Sequence, residues 1–406
     1  MSVDPHKARL YMSVFLSTLT TRKISFEKAF RTLVRKYNIK TWEAEQLYKL
    51  AYKIVIYYHS IEFLARLKGY KNTPSHLTEF LYQMKFDVNR VLEELGEELR
   101  GLSPSTRISL MHGYPPWIVR DLYGKLPLDE LEKMLSSLNV RKRWLVVNTA
   151  KTSVEKAVEC LENHGVEVIR HPDIEELLMT RDPFKKVAHV PCIRRAEVLP
   201  QDISSYIITK LLEEFTGDFV DACSAPGLKL VRTLLTGNYG RAIAVDISEK
   251  RISIVPKVVE KAVGRVPTLI VVNGDSRTLI FNVKSSLVLI DAPCSNSGAI
   301  YANPVVKLYL TRKLTWKMSK IQLSLILNSL KYGERVLYVA CSIHPLEGEE
   351  VSLKVIGKAK NARLAKISVK YGSQGYSGYE HSKLVQRLYP HVVNGQGFFV
   401  AMFERG

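Results

Sequence analysis

Two cysteines occur where short apolar runs give way to small, polar residues, and such positions suit covalent chemistry. Cys294 lies shortly after the run 287–290, and Cys341 directly follows the run 336–340. These β-branched runs predict strands, and in open α/β sheets ligands bind at the strand ends. A thiolate is also a strong carbon nucleophile near neutral pH. We therefore expect both thiols at one sheet edge, where they form or break a bond to a substrate.

The other three cysteines lack this setting. Cys160 and Cys223 are interpreted as buried, inert thiols, and Cys192 is left undecided. None of the five cysteines has CxxC or Cys/His ligand spacing, so we expect no metal site. An odd number of scattered cysteines indicates reduced thiols, which predicts a cytoplasmic protein.

Three carboxylates close three of the predicted strands. They belong to Asp246, Asp275 and Asp291. A single acid in such a place is more often a helix cap or a turn former, but three in succession are harder to explain that way. One acid can accept ribose hydroxyls and a second can meet an adenine amino group. Because three carboxylates repel a polyphosphate, we expect a positively charged adenosine compound, S-adenosylmethionine.

A turn of small residues precedes these acids. The segment 223–227 lies between a predicted strand and a helix that begins near Leu228. Small residues let a ligand lie against the backbone, and a helix N-terminus offers free N–H groups. Many α/β turns look like this one, so the segment indicates a cofactor loop only together with the three acids.

A thiolate next to a methyl sulfonium predicts a cytosine substrate. Cytosine C5 is a poor nucleophile, but addition of a thiolate to C6 converts the ring to an enamine whose C5 can attack a methyl group. The C5 proton must then leave so that the thiolate is expelled, and an acid near N3, such as Asp291, stabilises charge on the ring. The target base must be unstacked, so we expect a single-stranded or flipped nucleotide.

The charge balance favours a polyanionic partner. Lys and Arg number 59 against 40 Asp and Glu, a formal net charge of +19. Nucleic acid is the first expectation and an anionic membrane the second, while solubility alone is the plain alternative. No run approaches the roughly 18 apolar residues of a membrane span, and no secretory signal is recognised.

The elements predict three domains. Residues 1–135 are predicted as a helical domain of about five helices with a connector, including one long helix from Thr41 towards Gly69. Residues 140–200 predict a small α+β module, with helices at 153–163 and 173–179 and strands at 144–148, 166–168 and 187–193. The tyrosine- and glycine-rich segment 371–379 is predicted to be a mobile loop of the active site or substrate.

Residues 201–406 alternate strands and helices, which predicts a parallel sheet. The predicted strands are 218–222, 241–246, 267–272, 286–291, 334–340, 364–370, 383–389 and 397–403.

Taken together, these motifs resemble the RNA cytosine-5 methyltransferases of the RsmB/Nop2/Sun type. The resemblance covers the whole chain and is strongest from Gln201 onwards. The helical start is similar to the NusB-like RNA-binding domain of some members. Segments that are similar to family motifs are 147–149, 221–229, 246–251, 274–275, 291–295, 340–345 and 397–401.

The resemblance implies a Rossmann-like S-adenosylmethionine methyltransferase domain and a role for each site residue. It makes Cys341 the nucleophile and Cys294 the thiol that assists proton removal and product release, and it puts Lys229 and Asp291 beside the target base. The sequence departs from the family pattern at Leu228, Leu230, Asn296, Ala340 and Gly348, and none of these changes removes a reacting group. The implied cofactor-binding residues are Cys223, Ser224, Ala225, Pro226, Gly227, Leu228, Lys229, Asp246, Arg251, Asp275 and Asp291.

The favoured function is that of a monomeric RNA cytosine-C5 methyltransferase that acts on rRNA. A tRNA substrate remains an alternative, although no added module of the kind that reads tRNA acceptor ends is recognised. A DNA cytosine-5 enzyme would make Cys294 the nucleophile, and the Cys341-Ser342 motif counts against it. A ribosome-assembly factor with a vestigial site is disfavoured, because both thiols, Lys229 and the three acids are present.

Overall fold

A computed structural model describes residues 3–282 and 284–406. The chain divides into two compact units. One comprises the residues up to Val140 together with Ala299–Arg312, and the other comprises Arg141–Gly298 and Lys313–Gly406.

The first unit is helical, as predicted for the start of the chain. Its helices begin at capping residues, since the side chains of Asp4, Ser25 and Thr73 each accept a hydrogen bond from a main-chain N–H of the first turn. The predicted long helix from Thr41 is interrupted at Tyr57, whose backbone is not helical. The helices are Pro5–Arg22, Phe26–Tyr37, Thr41–Ile56, Tyr58–Leu67, Pro74–Gln83, Val88–Glu98, Pro104–Met111, Pro116–Leu122, Leu128–Ser137 and, in the later segment, Val306–Tyr309.

The later segment, Ala299–Arg312, is fastened into this unit by a fully buried lysine. Lys307 Nζ donates to Ile56 O at 2.9 Å, to His112 O at 2.6 Å and to Asn139 Oδ1 at 2.6 Å. Burial lowers the pKa of Lys307 well below its usual range. No sequence pattern predicts this excursion, because the partners of Lys307 are distant in the chain.

The second unit contains a small antiparallel sheet, β1 (Trp144–Val147), β2 (Val168–Arg170), β3 (Leu177–Thr180) and β4 (Val198–Pro200), in the order β2-β3-β1-β4. Two of the predicted elements are wrong. The predicted helix 173–179 contains β3 instead, because Leu177 and Leu178 are fully buried where β3 pairs with β1. The predicted strand 187–193 runs into the helix Pro191–Arg194, which begins at a proline. The other helix here is Val154–Asn163.

The larger sheet of this unit carries the candidate site. Its order is β11-β12-β13-β9-β8-β5-β6-β7, and β10 also pairs with β13. The strands are β5 (Thr216–Asp221), β6 (Asn238–Asp246), β7 (Leu269–Asn273), β8 (Ser285–Asp291), β9 (Gly333–Ala340), β10 (Ala362–Ala365), β11 (Ser373–Gln374), β12 (Gln386–Leu388) and β13 (Phe398–Arg405). The helices are Ile203–Lys210, Leu228–Thr236, Glu249–Ile252, Val255–Ala262, Arg312–Ser329, Glu349–Lys358 and Pro390–Val393, with a 3-10 helix at Pro345–Glu347.

Strands β5 to β9 are parallel, whereas β13 pairs antiparallel with β9. The predicted α/β fold is therefore confirmed, and the carboxy-terminal strands add an antiparallel edge that strand–helix alternation alone did not predict. The central strands are almost entirely buried, with Val220, Val288 and Val336 in one apolar core. Such continuous burial is expected for parallel strands covered on both faces.

Among the described helices, we find none with the length and apolar character needed to cross a bilayer.

Candidate active site

The predicted site residues are gathered at the carboxyl edge of the parallel strands. From β5 the chain continues to β6 and β7 on one side, and it returns on the other side as β8 and β9. The strand order therefore reverses between β5 and β8, and such a switch point is where open α/β sheets form their ligand crevice. Asp246 and Asp291 are the last residues of β6 and β8, and Cys341 directly follows β9.

The segment 223–227 forms a turn between β5 and the helix Leu228–Thr236. Ser224 N donates to Val245 O at 2.8 Å, which ties the turn to the neighbouring strand β6. Gly227 has φ of +99°, a conformation that L side chains rarely adopt, and no side chain caps the helix that follows it. The N–H groups at the start of this helix are thus not satisfied by a cap.

Two of the three acids are paired with arginines. Asp246 Oδ2 lies 3.6 Å from Arg251 Nη2, and the Arg251 guanidinium also donates to Ala225 O of the turn. Both oxygens of Asp275 accept from Arg277, at 2.5 to 3.0 Å, and these hydrogen bonds hold the pKa of Asp275 below its usual range. Arg251 therefore connects the turn with the end of β6, as expected of a cofactor residue.

The donor set fits the predicted cofactor. Carboxylates at successive strand ends offer acceptors for hydroxyl and amino groups, and each retains lone pairs beyond those used by its arginine. Their negative charge is compatible with a sulfonium and not with a polyphosphate. Burial, followed by the charge of Asp291, raises the pKa of the neighbouring Asp221 to about 7.

Lys229 and Asp291 form an ion pair at the point where the turn meets β8. Lys229 Nζ lies 2.7 Å from Asp291 Oδ2, and the same nitrogen is 5.3 Å from the centre of the Phe398 ring. The Lys229 side chain is largely buried, whereas the Asp291 side chain is about one third exposed. The two residues predicted to lie beside a target base are therefore in direct contact.

The two cysteines meet at a single carbonyl group. Cys294 Sγ donates to Cys341 O at 3.6 Å and to Asn296 Oδ1 at 3.5 Å, while Cys341 Sγ donates to Gln396 Oε1 at 3.4 Å. Burial raises the pKa of both thiols, and the charge of Lys229 acts in the opposite direction on Cys341. Two thiols that are separated by 47 residues in sequence thus share one small region.

Cys160 and Cys223, interpreted from sequence as buried thiols, are only partly buried. The surroundings of Cys223 nevertheless raise its pKa, chiefly by burial. The undecided Cys192 is fully buried in the core of the small module, and burial, with Cys160 nearby, raises its pKa to about 12. Within residues 3–282 and 284–406, no group of three or more His, Cys, Asp or Glu side chains is arranged to hold a metal ion.

The segment 371–379, predicted to be a mobile loop, contains the two-residue strand β11 and is anchored at Tyr376, while its mobility stays a prediction. Tyr376 is buried, its N–H donates to Glu349 Oε1 at 2.8 Å, and its hydroxyl donates to Ile343 O at 2.8 Å. Arg387 forms a buried ion pair with Glu349 and donates to Ser342 O at 3.1 Å. The segment therefore packs behind the Cys341 motif as part of its support.

Three polar residues near the cysteines are not singled out by any sequence pattern. Gln396 accepts from Cys341, Gln322 Nε2 donates to Pro293 O at 3.0 Å, and the buried Glu347 contacts serines of both cysteine motifs. A glutamine in a helix or loop has no sequence pattern that marks it as functional. For Glu347, the only such indication is its position six residues after Cys341.

Comparison with known proteins finds two family models that match this chain. Residues 209–404 match the family described as 16S rRNA methyltransferase RsmB/F, and residues 114–185 match the ferredoxin-like domain of RsmF/B-like methyltransferases. Relatives described as ribosomal RNA small subunit methyltransferase B, from Yersinia pseudotuberculosis and Yersinia pestis, are 26% identical over 332 residues. The aligned region is 79% of this chain and 73% of each relative. The resemblance drawn from the motifs is confirmed.

Solved structures share the fold. The crystal structure of PH0851 aligns over 100% of both chains, with a TM-score of 0.77 and 21% identity. NSun6 from Pyrococcus horikoshii, solved with SFG, aligns over 70% of this chain and 96% of its own, with a TM-score of 0.60 and 20% identity. A methyltransferase homolog from the same organism covers 75% of this chain and 100% of its own, with a TM-score of 0.62 and 24% identity.

Proposed function

Because the chain belongs to the RsmB/F family of S-adenosylmethionine-dependent methyltransferases, we propose that it methylates C5 of a cytosine in ribosomal RNA. The observation that carries the proposal is the contact of the Cys294 thiol with the main-chain carbonyl of Cys341, at the sheet edge where Lys229 and Asp291 form an ion pair at the end of β8. A methyltransferase that acts on a nitrogen or oxygen nucleophile has no need of a pair of cysteines, whereas C5 of cytosine must first be activated by addition at C6.

Cys341 is assigned the nucleophilic role. Its thiolate forms a bond to cytosine C6, which moves electron density to C5, and the proton that the thiol gives up leaves the sulfur before attack. Burial raises the pKa of this thiol, so the ammonium group of Lys229 is needed to favour the thiolate. S-adenosylmethionine, when bound, supplies an electrophilic methyl group for C5.

Cys294 is assigned to release. After C5 carries the methyl group, its proton must be removed so that the C5–C6 double bond forms again and the bond from C6 to Cys341 sulfur breaks. Cys294 Sγ lies against the carbonyl of Cys341, so it is beside the residue whose bond must break. In its thiolate form Cys294 can accept the C5 proton; the C–H electron pair then re-forms the C5–C6 double bond, and Cys341 leaves C6 as a thiolate that takes up a proton from solvent.

Asp291 and Lys229 are assigned to the base. In its protonated form the Asp291 carboxyl can donate to N3 and so stabilise the negative charge that thiolate addition places on the ring, and Lys229 fixes the orientation of that carboxyl. The turn 223–228 with Asp246, Arg251 and Asp275 is assigned to the cofactor, because these residues supply the backbone N–H groups and carboxylates described above.

Ribosomal RNA is the proposed substrate for two reasons. The curated relatives are described as ribosomal RNA small subunit methyltransferases, and the net charge of +19 suits a polyanion. We further propose that the enzyme works as a monomer in the cytoplasm, and that residues 1–135 bind RNA, followed by the small α+β module 140–200 and the catalytic domain 201–406.

The test is product analysis with the full chain. Purified protein is incubated with labelled S-adenosylmethionine and, separately, small-subunit rRNA, tRNA and DNA, and the digested nucleosides are identified by mass spectrometry. The proposal expects 5-methylcytidine from rRNA and no label with the Cys341→Ala variant. Label in another nucleoside, or in tRNA alone, contradicts it, and no transfer to any substrate favours an assembly factor.

A further inference from the structure

A buried carboxylate connects the two cysteine motifs. Glu347, at the end of the 3-10 helix Pro345–Glu347, is fully buried. Its Oε1 accepts from Ser295 N at 2.7 Å, and its Oε2 accepts from the hydroxyl groups of Ser295 at 2.5 Å and Ser342 at 2.7 Å. Ser295 is the neighbour of Cys294 and Ser342 is the neighbour of Cys341, so one side chain holds both.

Glu347 joins the two cysteine motifs through a network of hydrogen bonds. Gln322 Nε2 donates to Glu347 Oε1 at 3.2 Å, and Ser297 Oγ lies 3.1 Å from Ser295 Oγ and 2.9 Å from Ser342 Oγ. Four donors therefore converge on the carboxylate, which compensates the cost of burying it. A buried acid of this kind stays in place only while its donors do.

The two cysteine motifs depend on this network to different degrees. Cys341 directly follows β9, which pairs along its length with both β8 and β13. Ser342 O is also held by Arg387. By contrast, residues 292–298 form no strand or helix, and the main-chain N–H of Ser295 is given to Glu347 itself. Loss of Glu347 should therefore displace Cys294 more than Cys341.

We propose that Glu347 is a positioning residue that holds the Cys294 loop against Cys341 and thereby sets the rate at which the covalent RNA adduct is released. The inference rests on the proposed function, because it assigns release to Cys294. Glu347 touches neither thiol and acts through the serines.

The test compares adduct formation and release in full-length variants. With Glu347→Gln, which keeps the shape but loses the charge, we expect adduct formation on rRNA within about threefold of wild type and release about tenfold slower, as for loss of one or two charge-assisted hydrogen bonds. A covalent adduct then accumulates on a denaturing gel, and the KM for RNA stays unchanged. A purely structural role would slow both steps together.

Glu349→Gln is the matched control. Glu349 is as buried as Glu347, but its carboxylate pairs with Arg387 and not with the side chain of Ser295 or Ser342. It should lower stability without accumulating adduct. If Glu347→Gln does not fold, Ser295→Ala and Ser342→Ala decide the matter, since only the former should accumulate adduct.

The outcomes separate this inference from the proposed function. If Cys294→Ala traps an adduct and Glu347→Gln releases it at the wild-type rate, the positioning role is wrong and the proposed function stands. If Glu347→Gln slows adduct formation and adduct release equally, the positioning role is likewise wrong and the proposed function stands. If Cys294→Ala traps nothing on any RNA, the proposed function fails and the role of Glu347 fails with it.

Discussion

The two halves of the sheet edge are built differently. On the cofactor side, after β6 and β7, Asp246 and Asp275 are paired with arginines whose side chains are 58% and 42% exposed. On the cysteine side, after β8 and β9, the polar groups of Ser295, Ser342 and Glu347 are buried and bonded to one another.

The difference indicates that cofactor binding and covalent bond formation occur on two sides of the sheet edge with different rigidity. An arginine whose own side chain is exposed can move away from its carboxylate partner towards solvent when a ligand arrives, even where the carboxylate is buried, as at Asp246. A buried, fully bonded network resists displacement and holds reacting groups in place before the substrate arrives. We infer that the cofactor side adapts to its ligand, whereas the cysteine side is preorganised, with Lys229 and Asp291 at the boundary.

The largest effect of a charge substitution is expected at that boundary. Asp291→Asn removes the acceptor of Lys229 and the carboxyl assigned to the base, so kcat should fall by about 10²- to 10³-fold, as for loss of one preorganised stabilising group. Single-turnover kinetics with rRNA measure the change. Asp218→Asn is the control, since Asp218 pairs with Arg241 in the same sheet at the start of the strands. Equal losses in the two variants would place the effect in folding and not in the site.

A smaller and different effect is expected on the cofactor side. Asp246→Asn should weaken S-adenosylmethionine binding by about tenfold or more, the range for a hydrogen bond to a charged group, while kcat at saturating cofactor changes little. Asp275→Asn should cost less, because both oxygens of Asp275 are already engaged by Arg277. Calorimetric titration of the cofactor without RNA measures both. A fall in kcat with unchanged affinity would contradict the division between the two sides.

The smallest expected difference between the cofactor side and the cysteine side is in their pH dependence. The folded pKa of Cys341 is raised by burial, so its thiolate fraction, and with it the rate of adduct formation, should rise by about tenfold per pH unit between pH 7 and 9. Lys229→Met should move this rise to higher pH, because the lysine charge lowers the Cys341 pKa. Cofactor affinity should change little over the same range. A rate already constant at pH 7 would mean that the thiol is ionised before substrate binds.

The sequence predicts the residues at the strand ends better than the network that supports them. Asp246, Asp291 and Cys341 each stand at the end of an apolar run, so a local pattern is enough to bring them to one edge. The network around Glu347 joins residues from the loop after β8, the helix Arg312–Ser329 and the segment after β9. Such contacts depend on how elements pack, which no local pattern contains.

The same reason explains the errors in the fold. In the small module, Leu177 and Leu178 are apolar neighbours that suit a helix or a strand equally, and only pairing with β1 decides between them. In the segment 371–379, glycines and tyrosines indicated a loop, which the structure has apart from β11, but the sequence does not reveal that Tyr376 is buried against the Glu349–Arg387 ion pair.

The most direct test of the account is trapping of the covalent adduct in the two cysteine variants. Each is incubated with rRNA and S-adenosylmethionine and then separated on a denaturing gel. The account predicts that Cys294→Ala accumulates a protein–RNA adduct, because release is impaired while Cys341 still attacks C6, and that Cys341→Ala forms none. The reverse pattern, an adduct with Cys341→Ala and none with Cys294→Ala, would make Cys294 the nucleophile and contradict the assignment of the two thiols.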